Sequence, residues 1–159
     1  MTLPTNPPAN VHGLLTRWAA TQPDREALRY EGTGRTWAEL AERVARCAGA
    51  LRGEGLRPGA RVAVLDLNHP SCLEITLACA QVGTANAVVN FRLAPSEVAY
   101  VVNDSAAEVL FVGPEFVGLV DGLRDKLPSV RRVVRIGGGP DADTRSRILA
   151  AEISEYEVH

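Results

Sequence analysis

Arg92, in the run QVGTANAVVNFRL at residues 81–93, is the side chain best placed to hold a ligand. It follows Ala85, Ala87, Val88 and Val89, the small and β-branched residues that a parallel strand buried on both faces requires. Open α/β sheets collect ligands beyond the carboxyl ends of their strands. A guanidinium there, with five N–H donors in one plane, suits a phosphate. The competing reading is an exposed ion pair with a carboxylate such as Glu97, which contributes little.

Other reactive residues offer less. Lys126 is the only lysine, and the Leu127 and Pro128 that follow it exclude a phosphate-binding P-loop. The glycines of IGGGP, residues 136–140, lead into Pro140 and aspartates rather than a helix, so they read as a flexible linker. His12, His69 and His159 stand far apart and outside any metal-ligand spacing. His69 precedes Pro70 and suits a helix cap or simple exposure. Asp66 closes an apolar strand; a polar strand end explains it better than a ribose contact, because no glycine fingerprint precedes it. No G-x-S-x-G elbow is present.

The three cysteines do not form a disulfide framework. Cys72 and Cys79 are seven residues apart on one predicted helix, about 10 Å along its axis and beyond bridging distance, and Cys47 lies elsewhere in the chain. Buried free thiols imply a reducing, cytoplasmic setting.

The elements that must position these residues follow from periodicity. Val11, Leu14, Leu15, Trp18 and Ala19 have helical spacing, and Pro23 stops that helix. ALRYEGTGRTW predicts two short strands around a Gly-Thr-Gly turn. Thr36 and Glu39 form a capping-box pattern ahead of a helix whose apolar face carries Trp37, Leu40, Ala41, Val44, Ala48 and Leu51. Gly53 and Gly55 end it.

Strands are predicted at 61–67, 84–89, 107–112 and 130–136. Between them lie a helix at 70–82, apolar nearly all round and so central, and one from Pro95 to Asn103. A third starts at Pro114, with Phe116, Leu119, Val120, Leu123 and Leu127 facing inward. Strands alternating with helices predict an α/β fold with an open, mostly parallel sheet and helices on both faces.

The chain of 159 residues suits one domain, and 46% hydrophobic against 23% charged residues makes it globular. A formal net charge of −2 argues against a sequence-independent nucleic-acid binder. The opening MTLPTNPPAN lacks the basic and apolar segments of a signal peptide. The longest uncharged run, residues 75–91, is interrupted by Gln81, Gly83 and Asn86, so a helix, turn and strand explain it better than a membrane span. The organisation expected is a Pro-rich leader at 1–10, an α/β portion at 11–136, and a linker and truncated end at 137–159.

Four blocks together resemble the acyl-adenylate-forming (AMP-binding) superfamily, specifically the fatty-acid and related acid–CoA ligases. RTWAELAERVARCAGALRGEGLRPGARVAVL resembles the early T-[YW]-x-E-L helix and the following G-x-R-V-A of that family. LNHPSCLEITLACAQVG is similar to its N-x-P helix, and TANAVVNFRLAPSEVAYVVNDSAAEVLFV to its strand, N-x-R-L and N-D-S segments. PSVRRVVRIGG resembles the next strand. Each block is mostly packing and turn residues; their order and spacing carry the resemblance, from about Val11 to Gly138. His69 stands where Ser is common before the proline, and Ala94 where Thr or Ser usually caps a helix.

The resemblance implies the amino-terminal part of the large domain of an acid–CoA ligase. Such an enzyme activates a carboxylic acid of the fatty-acid class with Mg-ATP and passes the acyl group from AMP to CoA. The family's phosphate loop, adenine and ribose motifs, magnesium-binding Glu and catalytic Lys all come later than these residues, and Lys126 matches none of them. The chain is therefore expected to be an amino-terminal piece, inactive by itself, with no catalytic or metal-binding residue of its own. Its one candidate is Arg92, which by resemblance lies near the CoA entrance and contacts a CoA phosphate. Two alternatives stand beside this: a short relative acting as a scaffold or interaction module, and a ligase that hands its adenylate to a carrier protein. Exposed strand edges would favour a homo-oligomer.

Overall fold

The computed structural model describes residues 10–136. The predicted leader up to residue 9 and the predicted linker at 137–159 lie outside the described residues. Helix α1 spans Val11–Thr21, and Asn10 caps it by accepting a hydrogen bond from the Gly13 amide at 2.8 Å. A hairpin of β1 (Glu26–Tyr30) and β2 (Thr33–Thr36) follows, paired antiparallel.

The hairpin turn is not Gly-Thr-Gly. It sits at Glu31 and Gly32, with φ of 47° and 83°. Positive φ at both central residues matches the twist of the two strands, so Thr33 and Gly34 are free to join β2. Helix α2 (Trp37–Gly53) then begins on the predicted capping box. Leu40, Val44, Cys47, Ala48 and Leu51 line its buried face.

The main sheet contains β3 (Arg61–Leu65), β4 (Ala85–Val88), β5 (Val109–Val112) and β6 (Arg132–Arg135), all parallel, in the order β4-β3-β5-β6. Helix α3 (Pro70–Val82) connects β3 to β4, and α4 (Pro95–Asp104) carries the chain back past β3 to β5. Reversing the direction of travel puts the next helix on the opposite face, as right-handed crossovers require. Two cores result. Val62, Val64, Val109, Phe111 and Val134 pack with α2 and α3, while Ala63, Leu65, Leu110 and Val112 pack with α4 and the segment after β5. Strands covered on both faces have no polar side, hence the unbroken apolar runs VAVL and VLFV.

β4 departs from expectation. It is an edge strand, and Val88 is 63% exposed. Small residues there reflect close packing on one face only: Ala87 and Val89 meet the α4 side, and Asn86 donates to Thr76 Oγ1 of α3 at 2.7 Å. Gly83 ends α3 in the left-handed region at φ 82°, and a Cβ there would meet the Pro58 ring at 3.3 Å. Both the dihedral and the close approach call for glycine.

The helix predicted from Pro114 is also broken. A 3₁₀ turn at Pro114–Phe116, the five-residue α5 (Val117–Asp121) and a second 3₁₀ turn at Arg124–Lys126 replace it. Gly118 and Gly122 fall inside this stretch, and glycine is a weak helix former. Val120, Leu123 and Leu127 are buried as predicted, but Phe116 and Leu119 are only half-buried.

Candidate functional site

The carboxyl ends of β3, β4 and β5 lie side by side, and chain travel reverses between β3 and β5. A crevice at such a reversal is the common ligand position in open α/β sheets. Two groups of side chains follow the strands that end there, and a third lies between β2, α2 and α3.

The first follows β4. Asn90 turns the chain by accepting the Arg92 amide on its Oδ1 at 3.0 Å. Phe91 packs against Phe116, which follows β5, with ring centroids 6.3 Å apart and tilted by 44°. The Arg92 guanidinium carbon lies over the Phe91 ring, 4.9 Å from its centroid. Arg92 is exposed and makes no ion pair among the described residues. The expected partner is otherwise engaged. Glu97 Oε2 accepts the Ala94 amide at 2.8 Å, which satisfies the start of α4 where Ala94 offers no side-chain oxygen.

The second group follows β3 and is buried. Asp66 accepts the Leu67 amide at 2.8 Å on Oδ1 and the Ser71 hydroxyl at 3.1 Å on Oδ2. His69 caps α3, its Nδ1 accepting the Ser71 amide at 3.2 Å and lying 2.9 Å from Ser71 Oγ. The Tyr30 ring stands edge-on to His69 at 5.0 Å, joining the hairpin to this turn. Asp66 is thus a polar strand end that fastens the loop, and the histidine in place of serine still caps.

The third group was not anticipated. Glu74, 1% exposed, receives Arg43 in a fork (Nε to Oε1 at 2.6 Å, Nη2 to Oε2 at 3.0 Å) and Arg35 Nη1 at 3.3 Å. The only charge on a helix read as apolar all round was the available signal, because a buried carboxylate needs a partner. Arg35, Arg43 and Arg46 line a cavity of about 290 Å³ with Glu39 and Glu42. Glu74 pairs with Arg35 and Arg43 and Glu42 with Arg46, and with Glu39 the three carboxylates balance the three arginines, so the cavity is not an anion site.

The remaining candidates stay apart. Lys126 is exposed in a 3₁₀ turn, and its carbonyl accepts Asn103 Nδ2 at 2.8 Å. Cys47, Cys72 and Cys79 are in no disulfide, and burial raises the thiol pKa of Cys47 and Cys79. Among the described residues no cluster of three or more His, Cys, Asp or Glu forms, and no helix is long and apolar enough to cross a membrane.

A sequence model of the family described as "AMP-binding enzyme" matches residues 15–156. The chain belongs to the AMP-binding enzyme family. It is 42% identical over 123 residues to a feruloyl-CoA synthase of an Amycolatopsis species, covering 77% of this chain and 24% of that one. It is 37% identical over 103 residues to the fatty acid–[acyl-carrier-protein] ligase ScoC of Streptomyces coeruleorubidus, covering 65% and 20%. The solved acetoacetyl-CoA synthetase of Streptomyces lividans superposes with a TM-score of 0.77 at 30% identity, over 93% of this chain and 26% of that one. The chain spans about a quarter of the length of the curated relatives it matches. An AMP-binding domain of this α/β type therefore accounts for the sheet, and the relatives are named for joining acids to CoA or to a carrier protein.

Proposed function

We propose that the protein carrying this chain is an AMP-forming acid–CoA ligase, and that residues 11–136 form the amino-terminal wall of its CoA approach. The observation that carries this reading is Arg92. Its guanidinium stands at the carboxyl edge of a parallel sheet, exposed, with no carboxylate partner among the described residues. A free, oriented guanidinium is matched to a phosphate of CoA.

In the reaction, a carboxylate is a poor electrophile, so its oxygen attacks the α-phosphorus of Mg-ATP, pyrophosphate departs, and the acyl group gains AMP as leaving group. The CoA thiolate then attacks the acyl carbon and AMP departs. Within this scheme Arg92 binds and orients CoA. It takes no part in adenylation, and these 159 residues neither bind Mg-ATP usefully nor turn over an acid by themselves. Three free thiols agree with a cytoplasmic setting.

Arg92→Ala in the whole protein tests the reading. The KM for CoA should rise several-fold, the scale of a charge-assisted hydrogen bond of about 1.5–3 kcal/mol reduced by solvent, while acid-dependent pyrophosphate exchange stays near wild type. An unchanged CoA dependence would refute it. A second reading, delivery to a carrier protein, is favoured only by the similarity to ScoC; there Arg92 would meet the phosphate of a carrier's pantetheine arm, and CoA would be a poor acceptor.

A further inference from the structure

We infer that Phe91 is a positioning residue that holds the Arg92 guanidinium over its ring and leaves the charge unneutralised for a phosphate; the inference rests on the CoA reading above. An exposed arginine is commonly ordered by a carboxylate, which occupies N–H donors and cancels the charge. Here no carboxylate pairs with Arg92 among the described residues, and Glu97, five residues on, is spent on the Ala94 amide.

The ordering comes from the Phe91 ring instead, with the guanidinium carbon 4.9 Å from its centroid. Attraction to the ring quadrupole neither supplies a carboxylate acceptor nor cancels the cation's charge. The charge stays available.

The ring is itself held. Phe91 is half-buried, packed with the α4-side core and set against Phe116 at 6.3 Å. Asn90 fixes the backbone from the other side by accepting the Arg92 amide. The residues after β4 and after β5 therefore build one line of contacts, Phe116–Phe91–Arg92, across the carboxyl edge of the sheet. Less rotamer freedom remains to be lost when the phosphate binds, and affinity gains from that preorganisation.

The test is a double-mutant cycle in the whole protein, read by equilibrium titration with CoA and with 3′-dephospho-CoA, and by pyrophosphate exchange. Phe91→Leu should weaken CoA binding about 2–5-fold, the range of an exposed cation–π contact. In the Arg92→Ala background it should add nothing, and pyrophosphate exchange should not change in either. Phe91→Trp, which keeps an electron-rich face, should bind CoA at least as well as wild type, and it serves as the test if the leucine variant does not fold. If the effect of Phe91→Leu disappears for 3′-dephospho-CoA, the 3′-phosphate is the group held; if it persists, the pyrophosphate is.

Equal weakening by Phe91→Leu with and without Arg92 would overturn the inference, as would no weakening at all or a loss of CoA affinity in Phe91→Trp. In each of those cases Arg92→Ala still weakens CoA binding if the functional reading is right. An Arg92→Ala variant with wild-type CoA affinity would instead sink that reading.

Discussion

Replacing Arg43 with methionine should cost this fold about 3 kcal/mol, and replacing its partner as well should restore most of it. Glu74 is 1% exposed and is held by three bonds, two of them from Arg43. Breaking a buried ion pair from one side typically costs about 3–5 kcal/mol, because the charge left behind has lost water and gained nothing. Two features set the value at the low end. Arg35 remains 3.3 Å from Oε1, and the side chains of both arginines are 13% exposed, so solvent reaches the site. For a chain of this size about 3 kcal/mol corresponds to a fall in Tm of roughly 10 °C.

The informative comparison is Arg43→Met with Glu74→Leu. Apolar residues of similar volume need no desolvation of charge, so the double variant should unfold within about 1 kcal/mol of wild type. Arg35, no longer paired with Glu74, can carry its charged end to water along its aliphatic stem. Urea and thermal unfolding followed by circular dichroism measure all four corners of the cycle. A Tm shift of only a degree or two for Arg43→Met would show that Glu74 is solvated after all. A double variant worse than either single would show that the arginine stem, rather than its charge, holds α2 to α3.

Two further outcomes follow from particular contacts. The Thr36 amide and hydroxyl donate to Glu39 and hold its carboxyl below the usual glutamate range, so the stability it contributes is complete above the ordinary glutamate pKa and is lost as pH falls through the lowered value; the stability gap between wild type and Glu39→Gln, measured by urea unfolding, should close across that window, and a gap that is constant with pH refutes the carboxylate's role. Val88 lies 63% exposed on edge strand β4, so Val88→Lys should cost at most about 0.5 kcal/mol in urea unfolding, and a larger loss would show that the residue is covered.

The layers of the fold were legible because their signals are local. Thr36 and Glu39 announce α2, Pro70 and Gly83 bracket α3, and unbroken apolar runs mark β3 and β5 as strands. β4 misled because AVV looks the same in a central strand and at an edge, and strand order is a property of topology rather than of one segment. The helix after Pro114 misled because its apolar spacing is helical while its two glycines lower the propensity to sustain it. At the site, Arg92 could be placed from its position after a strand. Its contact with Phe91 and the release of Glu97 to the α4 cap could not, since both are choices among neighbours within a few residues. Asp66 and Ser71 meet through a turn whose shape periodicity does not encode.

β3 is the shared partner of β4 and β5, and the order in which those partners are synthesised has a consequence for biogenesis. Once β3, α3 and β4 have left the ribosome, Val62 and Val64 already have α3 to cover them. Ala63 and Leu65 on the other face wait for α4 and for the segment after β5, and the second edge of β3 waits for β5 itself. The nascent chain thus passes through a stage in which β3 is finished on one side and bare on the other. That interval is when a holding chaperone would find its binding surface, and when a pause in translation would do most damage.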